Sequence, residues 1–587
     1  MCGVFGIVKK GEDEISDYEM SAMHKAQIHR GPDHFGYFNN KGVFLGNNRL
    51  SIIDLENGNQ PFYSDDKKIA VLQNGEIFNY VELQSELKGL GVNFQTDSDT
   101  EVILRLFEKF GISMLEKLNG MFSITIFDKK NNKLYLIRDR FGQKPLFYFE
   151  DNNKFIYSSE IKSILELGVS TSVNEKALVS FLKYNFVAGK ETIFKSIYNV
   201  DPGNYIELNL KDNTYREVKW WNAETEVEKI SSLLTKDNRI ELIRDTIIDS
   251  IRIRMRSDVE YSAFLSGGID SSIIVSQMNK ITTNKFNTFT IGFGNSKFDE
   301  SKIANEVAMQ MNVNHRCENF NDNILDYWSE VLKFTEQPHG DVSFIPMYLL
   351  SKFASEKDRV VLTGDGADEL FGGYNKYFEI RDDSDLETQF IESSTLFSDT
   401  EIKMLLGGQI SSSVNVIREL IQNDSLLSNS VLEGNQNKSM YLDTIFLLPY
   451  NNLIKPDRMG MAHSIELRSP FMDYRNVALA FALKAEDKIA NNTSKYIIRQ
   501  AFKEDIPESV FRRDKQKFIV PLNENKVNIE RFYKIIINSD LDQLGITNEK
   551  FIENLYLNHT SGKINHYREL RALAALSLWY NIYSKYF

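Results

Sequence analysis

The sequence predicts two joined domains. The first is an α+β domain built on antiparallel sheets with flanking helices. The second is an α/β domain on a parallel sheet, with a helical C-terminal part. Three observations carry this prediction. The chain has 587 residues, more than one hydrophobic core usually organises. Its first part alternates short apolar strands with turn residues. Beyond a polar stretch, apolar strands alternate with helical patterns, as crossover connections between parallel strands require.

The elements follow in order. "GMFSITIFD", the polar "KKNN" and "KLYLIRDRFG" read as a hairpin, and "PLFYFE" as a further strand. In "DTEVILRLFEKFG", Val102, Ile103, Leu106, Phe107 and Phe110 recur at helical spacing. "NYIELNLKDNTYREVKWWN" gives a last hairpin, after which polar residues dominate. The first domain is therefore expected over 2–205, a linker over 206–237 and the second domain over 238–587. In the second, "YSAFL", "FNTFTIGF" and "RVVLTG" are strands, each leading through a loop into a helical pattern. Residues 380–438 read as a peripheral helical insertion, and the chain is mostly helical from about residue 440.

Composition narrows the function. Hydrophobic residues make up 42% and charged residues 26%, as in ordinary globular proteins. A net charge of −13 argues against non-specific nucleic-acid binding. The longest apolar runs are too short for a membrane span, and no secretory leader is expected. Two cysteines, Cys2 and Cys317, cannot build a disulfide framework, which suits a reducing cytoplasm.

Cys2 opens the first chemical constellation. Methionine is readily removed before a small residue, which would give Cys2 a free α-amine. That amine titrates near ~7.7–8.0 and a thiol near ~8.5, so the amine can take the thiol proton near neutral pH. Nucleophile and base then occupy one residue. On "MCG" alone, a small residue starting a strand is the simpler reading. Four stretches change the balance: "HRGPDHFG", "NNRLSIID", "LQNGEIFNY" and "TDSDTEVI". Singly they are turns and helix starts. In this order, with Cys2, they resemble the class II glutamine amidotransferase domain, the N-terminal-nucleophile glutaminases.

That resemblance implies roles. Cys2 would attack the glutamine amide, forming a thioester and releasing ammonia. Asn74 and the Gly75 N–H would form the oxyanion hole. Arg49 would hold the substrate α-carboxylate and Asp99 its ammonium. Leu50, Ser51, Ile52, Ile53 and Glu76 would line the pocket. Arg30 and Asp33 are left as structural supports.

"AFLSGGIDSSIIVSQM" opens the second constellation. Its glycines let backbone N–H groups turn toward an anion, and serines add hydroxyl donors. No lysine follows, so it is not the Walker loop. It resembles the pyrophosphate loop of enzymes that split ATP between its α and β phosphates. With "VLTGDGADELFGGYNKY", "DRMGMAHSIELRSPFMD" and "SKYIIRQAF", nearly the whole chain resembles the glutamine-hydrolysing asparagine synthetase family.

By that resemblance, Leu265, Ser266, Gly267, Gly268, Asp270, Ser271, Ser272, Ile291, Thr363 and Gly364 would bind ATP. Asp270 and Asp368 would hold Mg2+. Lys495 would neutralise phosphate charge, and Asp365 would help form or position an aspartyl-adenylate. Some family members carry Glu at the position of Asp365, which leaves the acceptor open. The implied reaction converts ATP, aspartate and glutamine to AMP, pyrophosphate, asparagine and glutamate, with ammonia passing internally. The alternative is the same architecture amidating another carboxylate, such as a uronic-acid sugar or a peptide intermediate. The implied partners are these small molecules, with no nucleic acid and no membrane, and a homodimer is compatible.

Overall fold

A computed structural model describes residues 2–10, 14–294, 299–320, 323–408, 415–429, 431–512 and 526–587. Twelve strands form the first domain. They are β1 (Cys2–Lys9), β2 (His34–Asn40), β3 (Val43–Arg49), β4 (Phe62–Tyr63), β5 (Ile69–Ile77) and β6 (Gly120–Asp128), followed by β7 (Lys133–Arg138), β8 (Phe147–Glu150), β9 (Lys154–Ser158), β10 (Ile197–Asn199), β11 (Asn204–Asn209) and β12 (Tyr215–Lys219). One antiparallel sheet has the order β10-β8-β9-β1-β3-β2 and the other β12-β11-β7-β6-β5-β4.

Side chains alternate faces along a strand, and here both faces are buried. Val4 and Val8 of β1 share a core with Leu72 of β5 and Leu136 of β7, which packs the two sheets together. Phe5 and Ile7 point the other way, into a cluster with helical residues such as Phe181. On the far face of the second sheet, Phe122 and Ile124 of β6 share a cluster with Leu106. The domain is thus a helix–sheet–sheet–helix stack. This explains why β6 reads as an apolar run rather than an alternating strand.

The second domain carries a five-stranded parallel sheet: β13 (Tyr261–Phe264), β14 (Asn287–Gly292), β15 (Asn314–Asn319), β16 (Val360–Leu362) and β17 (Glu466–Arg468). Its order is β15-β14-β13-β16-β17. Two of these strands escape the sequence reading. β15 is a polar edge strand, and β17 is a three-residue strand within the part read as helical. The insertion contains short helices such as Leu386–Ser394 and Val416–Asn423.

Seven helices matter for the sites: α1 (Asp17–Ala26), α2 (Asp99–Phe110), α3 (Ile161–Leu165), α4 (Ile269–Ile281), α5 (Ile454–Met461), α6 (Tyr496–Ala501) and α7 (Tyr567–Tyr583). Among the described residues, no helix is long and apolar enough to cross a membrane. Leu50, Ile52 and Ile53, just after β3, belong to the same apolar cluster as Ile247, Leu265 and Met461. The two domains therefore share core.

Candidate active site

Cys2 begins β1 and is paired in register with Arg49 of β3. Its thiol is buried, and burial pushes its pKa up, with the terminal ammonium and the Leu50 N–H opposing. The Cys2 N–H donates to Asn74 Oδ1 at 3.2 Å. Gln60 Nε2 stands 4.0 Å from the sulfur. Asn74 lies on β5, and its amide donates to Ser123 and Ser159 hydroxyls, each at 3.3 Å.

Gly75 is a position only glycine can hold. Its φ is +139°, and a Cβ would stand 2.0 Å from the Met121 carbonyl oxygen. Asp99 opens α2, and its Oδ2 accepts from Gln73 Nε2 at 3.0 Å and from the Ile77 N–H at 2.9 Å. Burial pushes its carboxyl up despite those donors. Arg49 has its terminal nitrogens engaged. They donate to the carbonyls of Ile53, Asp54 and Leu55 and to Asn59 Oδ1, so the guanidinium orders the loop carrying Leu50 to Ile53.

Arg30 and Asp33 acquire concrete partners. Arg30 Nε donates to the Cys2 carbonyl at 3.1 Å, and its other nitrogens form a bidentate pair with Asp457 of α5 at 2.9 and 3.0 Å. Asp33 accepts from the Ser51 N–H at 2.8 Å and also pairs with Arg359 of the second domain.

A second site lies beyond the C-terminal ends of β13 and β16, where loops leave a parallel sheet and ligands bind. A cavity of about 410 Å3 opens there. Leu265, Ser266, Gly268, Asp270, Ser271, Ile291, Thr363, Gly364, Asp365 and Asp368 line it, so ten of the expected residues converge. Gly267, Ser272 and Lys495 are not among its lining residues. Gly267 instead makes the turn, at φ +74°. The Ser271 hydroxyl caps the loop by accepting from the Ser266 N–H at 3.2 Å. Phe264, Phe289, Met347 and Leu350 add an apolar wall.

Lys495 precedes α6 and bridges the acidic pair. Its Nζ stands 2.5 Å from Asp270 Oδ2 and 2.6 Å from Asp368 Oδ1. Burial alone would lower its pKa, but the two carboxylates hold it above the ordinary lysine range. Thr363 Oγ1 donates to Asp365 at 2.7 Å, and burial pushes the Asp365 carboxyl up while Lys455 opposes.

The cavity also has residues that sequence reasoning missed. Lys455 of α5 lines it and donates to Ser343 Oγ at 3.1 Å; Ser343 in turn donates to Asp341 at 2.7 Å. Glu369 accepts from Tyr374 at 2.7 Å and from Asn452 at 2.6 Å. Burial and Asp368 push its pKa to about 7. Only Glu369 and Tyr374 fall in a quoted stretch, and no spacing rule singles them out.

An N-terminal-nucleophile fold with a buried cysteine, joined to a pyrophosphate-loop domain, defines a glutamine-dependent amidotransferase. Residues 1–221 match the glutamine amidotransferase domain family, and residues 242–581 match asparagine synthase. Glutamine-hydrolyzing asparagine synthetase 1 of Bacillus subtilis (strain 168) is 32% identical over 631 residues, covering 99% of this chain and 97% of its own length. A putative asparagine synthetase 2 of Methanocaldococcus jannaschii is 36% identical over 401 residues, covering 64% of this chain and 76% of its own. A second B. subtilis glutamine-hydrolyzing asparagine synthetase is 32% identical, covering 88% and 72%. The chain belongs to the asparagine synthase family: it is a glutamine-hydrolysing, ATP-dependent ligase.

Proposed function

We propose that Cys2, once Met1 is removed, uses its own amine as base and attacks the side-chain carbonyl of glutamine. The thioester forms as ammonia leaves, and water then releases glutamate. Asn74 and the Gly75 N–H are the oxyanion donors, which requires the Asn74 amide to release one serine hydroxyl. Asp99 receives the substrate ammonium. Arg49 receives the carboxylate through Nε, or by exchanging loop carbonyls. Leu50, Ser51, Ile52, Ile53 and Glu76 shape the pocket.

In the second site, the β-carboxylate of aspartate attacks the α-phosphorus of ATP and expels pyrophosphate. Ammonia then displaces AMP to give asparagine. Ser266, Gly267, Gly268, Ser271 and Ser272 hold the phosphates through the loop, with Leu265, Ile291, Thr363 and Gly364 around the nucleoside. Asp270 and Asp368 supply hard oxygen donors converging on one point, which fits Mg2+. When bound there, the ion would neutralise phosphate charge. Lys495 shifts from these carboxylates to the phosphates as charge develops, and Asp365 orients the acceptor. Lys455 is the cation best placed for a second acceptor carboxylate. This cation within the same cavity favours aspartate over a monocarboxylate acceptor. The two free cysteines support a cytoplasmic protein, and the acidic net charge supports the absence of a nucleic-acid partner. A homodimer without a membrane partner completes the reading.

One observation carries it: a buried Cys2 site and a cavity lined by eight of the expected ATP-binding residues, with Asp365 and Asp368, occur in one chain. Cys2→Ala tests the assignment. Glutamate release should be lost, and ammonia-dependent pyrophosphate release retained. A panel of carboxylates tests the acceptor, and pyrophosphate release indifferent to aspartate would overturn it.

A further inference from the structure

A second cavity, of about 810 Å3, lies away from both sites, between the first domain and the C-terminal helix. Its walls come from α1, α3, the segment at Lys333 and the end of α7 with the residues after it. Four lysines, Lys25, Lys162, Lys333 and Lys585, line it against one carboxylate, Glu166. On a chain of net charge −13 this is a local reversal of sign.

The charges are not consumed equally. Lys333 pairs with Glu330 at 2.8 Å, and Lys162 with Glu160 at 2.5 Å. Lys25 and Lys585 have no carboxylate partner among the described residues, and both are exposed. Glu166 accepts the Tyr586 hydroxyl at 2.6 Å, leaving the lysines to face the cavity. Tyr18, 70% exposed on the rim, offers a flat face to a ring.

Lys162 also belongs to a buried ion network that reaches Cys2. Glu160 takes Lys162, Arg30 at 3.2 Å and Arg458 at 3.2 Å. Arg30 in turn donates to the Cys2 carbonyl. Four cations (Arg30, Lys144, Lys162 and Arg458) face three carboxylates (Glu160, Glu336 and Asp457). Lys162 is the member at the cavity wall, and so the one an external anion can recruit.

We infer that this cavity is a regulatory site for a phosphate-rich polyanion of nucleotide size, which draws Lys162 from Glu160 and so weakens the Arg30 hold on Cys2. Lysines suit phosphate as mobile point charges, and the volume falls in the range of ligand pockets. The regulatory half of this inference rests on the glutaminase reading of Cys2; the binding half does not.

Titration calorimetry with inorganic tripolyphosphate tests binding, in Lys495→Gln protein so that the ATP cavity lacks its phosphate cation. One molecule should bind, and adding Lys25→Gln and Lys585→Gln should weaken it at least about tenfold at unchanged unfolding temperature. Neither lysine carries an ion pair that folding needs, so the comparison survives. No binding, or equal binding in both proteins, overturns the site. In protein with native lysines, tripolyphosphate should lower glutamate release from glutamine alone at least about threefold, and Lys25→Gln/Lys585→Gln should abolish that inhibition. Binding without inhibition overturns the regulation. Glutamate release that survives Cys2→Ala would instead overturn the glutaminase reading. GTP binding tighter than tripolyphosphate assigns a nucleotide; equal affinity assigns the phosphate chain.

Discussion

On the proposed reading, Lys495 concentrates the chemistry of the second site in one side chain. Its ammonium bridges Asp270 and Asp368 and offsets part of their combined charge. Lys495→Met should cut pyrophosphate release by a factor of about 100 or more, as removal of a preorganised charge donor does. Glutamate release from glutamine should change little, and two parallel assays read this. The acceptor end predicts a pH dependence. Burial pulls His339 down to about 4, and its Nδ1 accepts from the Asp341 N–H at 3.2 Å, a bond that protonation would break. An unfolded histidine titrates near ~6.5, so the unfolded chain binds more protons between pH ~6.5 and ~4, and stability falls as pH drops through that window. Burial would raise Asp341, but Lys455 and His339 hold it near 2; its contribution is complete above pH ~4 and lost as pH falls toward ~2. His339→Gln should flatten the upper window of a plot of unfolding temperature against pH, and Asp341→Asn the lower. At this scale, sequence told unequally. Cys2, Asp270 and Lys495 sit in ordered stretches whose chemistry is readable. Lys455 and Asp341 acquire meaning only when α5 and the loop before residue 344 meet across the cavity.

Elements set where those residues stand. β5 carries Asn74, Gly75 and Glu76 in succession, and Gly75 lies against β6 so closely that its hydrogen acts as a spacer. Gly75→Ala should abolish glutamate release and lower the unfolding temperature, while ammonia-dependent synthesis persists; full glutaminase activity would refute the packing argument. The hairpin of β6 and β7 was legible because its strands are apolar and its turn polar. β17 was not, because three residues with two charges, set among helical patterns, give no alternating apolar signal. It is a strand by pairing in parallel with β16, and Arg468 finds partners inside: Nε meets Glu466 at 2.6 Å and Nη1 meets the Arg254 carbonyl at 2.8 Å. α5 presents Asp457 to Arg30, both buried, with Lys144 also within 3.3 Å. Asp457→Asn removes the bidentate partner of the buried Arg30 guanidinium and leaves it only Glu160 at 3.2 Å, and breaking a buried pair costs up to roughly 3–5 kcal/mol. A marked drop in unfolding temperature, with weakened glutamine hydrolysis, is the expected result. An unchanged melting curve would mean that water or Glu160 satisfies Arg30.

Across the whole molecule, the two sites are joined by more than shared core. Arg468 is the clearest link; it lies within "DRMGMAHSIELRSPFMD", but that stretch does not reveal its partners, which are scattered over residues 76–78, 254–256, 363 and 466. Its Nη2 lies 3.7 Å from Glu76, in the proposed glutamine site, and its guanidinium sits 5.4 Å over the Phe78 ring. Its own carbonyl accepts the N–H of Thr363, a lining residue of the second-domain cavity, at 2.8 Å. Glu76 shares this environment with Asp99 and Glu466, and burial with those charges pushes its carboxyl well up, so the guanidinium is the local counterweight. Occupancy of one site that shifts Arg468 must therefore be felt at the other. Truncating Arg468 would strand Glu466 and risk the fold, so the informative change is Arg468→Lys. Lysine keeps the charge but cannot reach Glu466, the backbone carbonyls and Glu76 together. Each half-reaction should survive, while the glutamate formed per pyrophosphate rises from near one to above about two, because hydrolysis no longer waits for the adenylate. Simultaneous assay of both products reads the ratio directly. A ratio unmoved by Arg468→Lys would show that coupling runs through the shared apolar core around Ile52 and Leu265 instead.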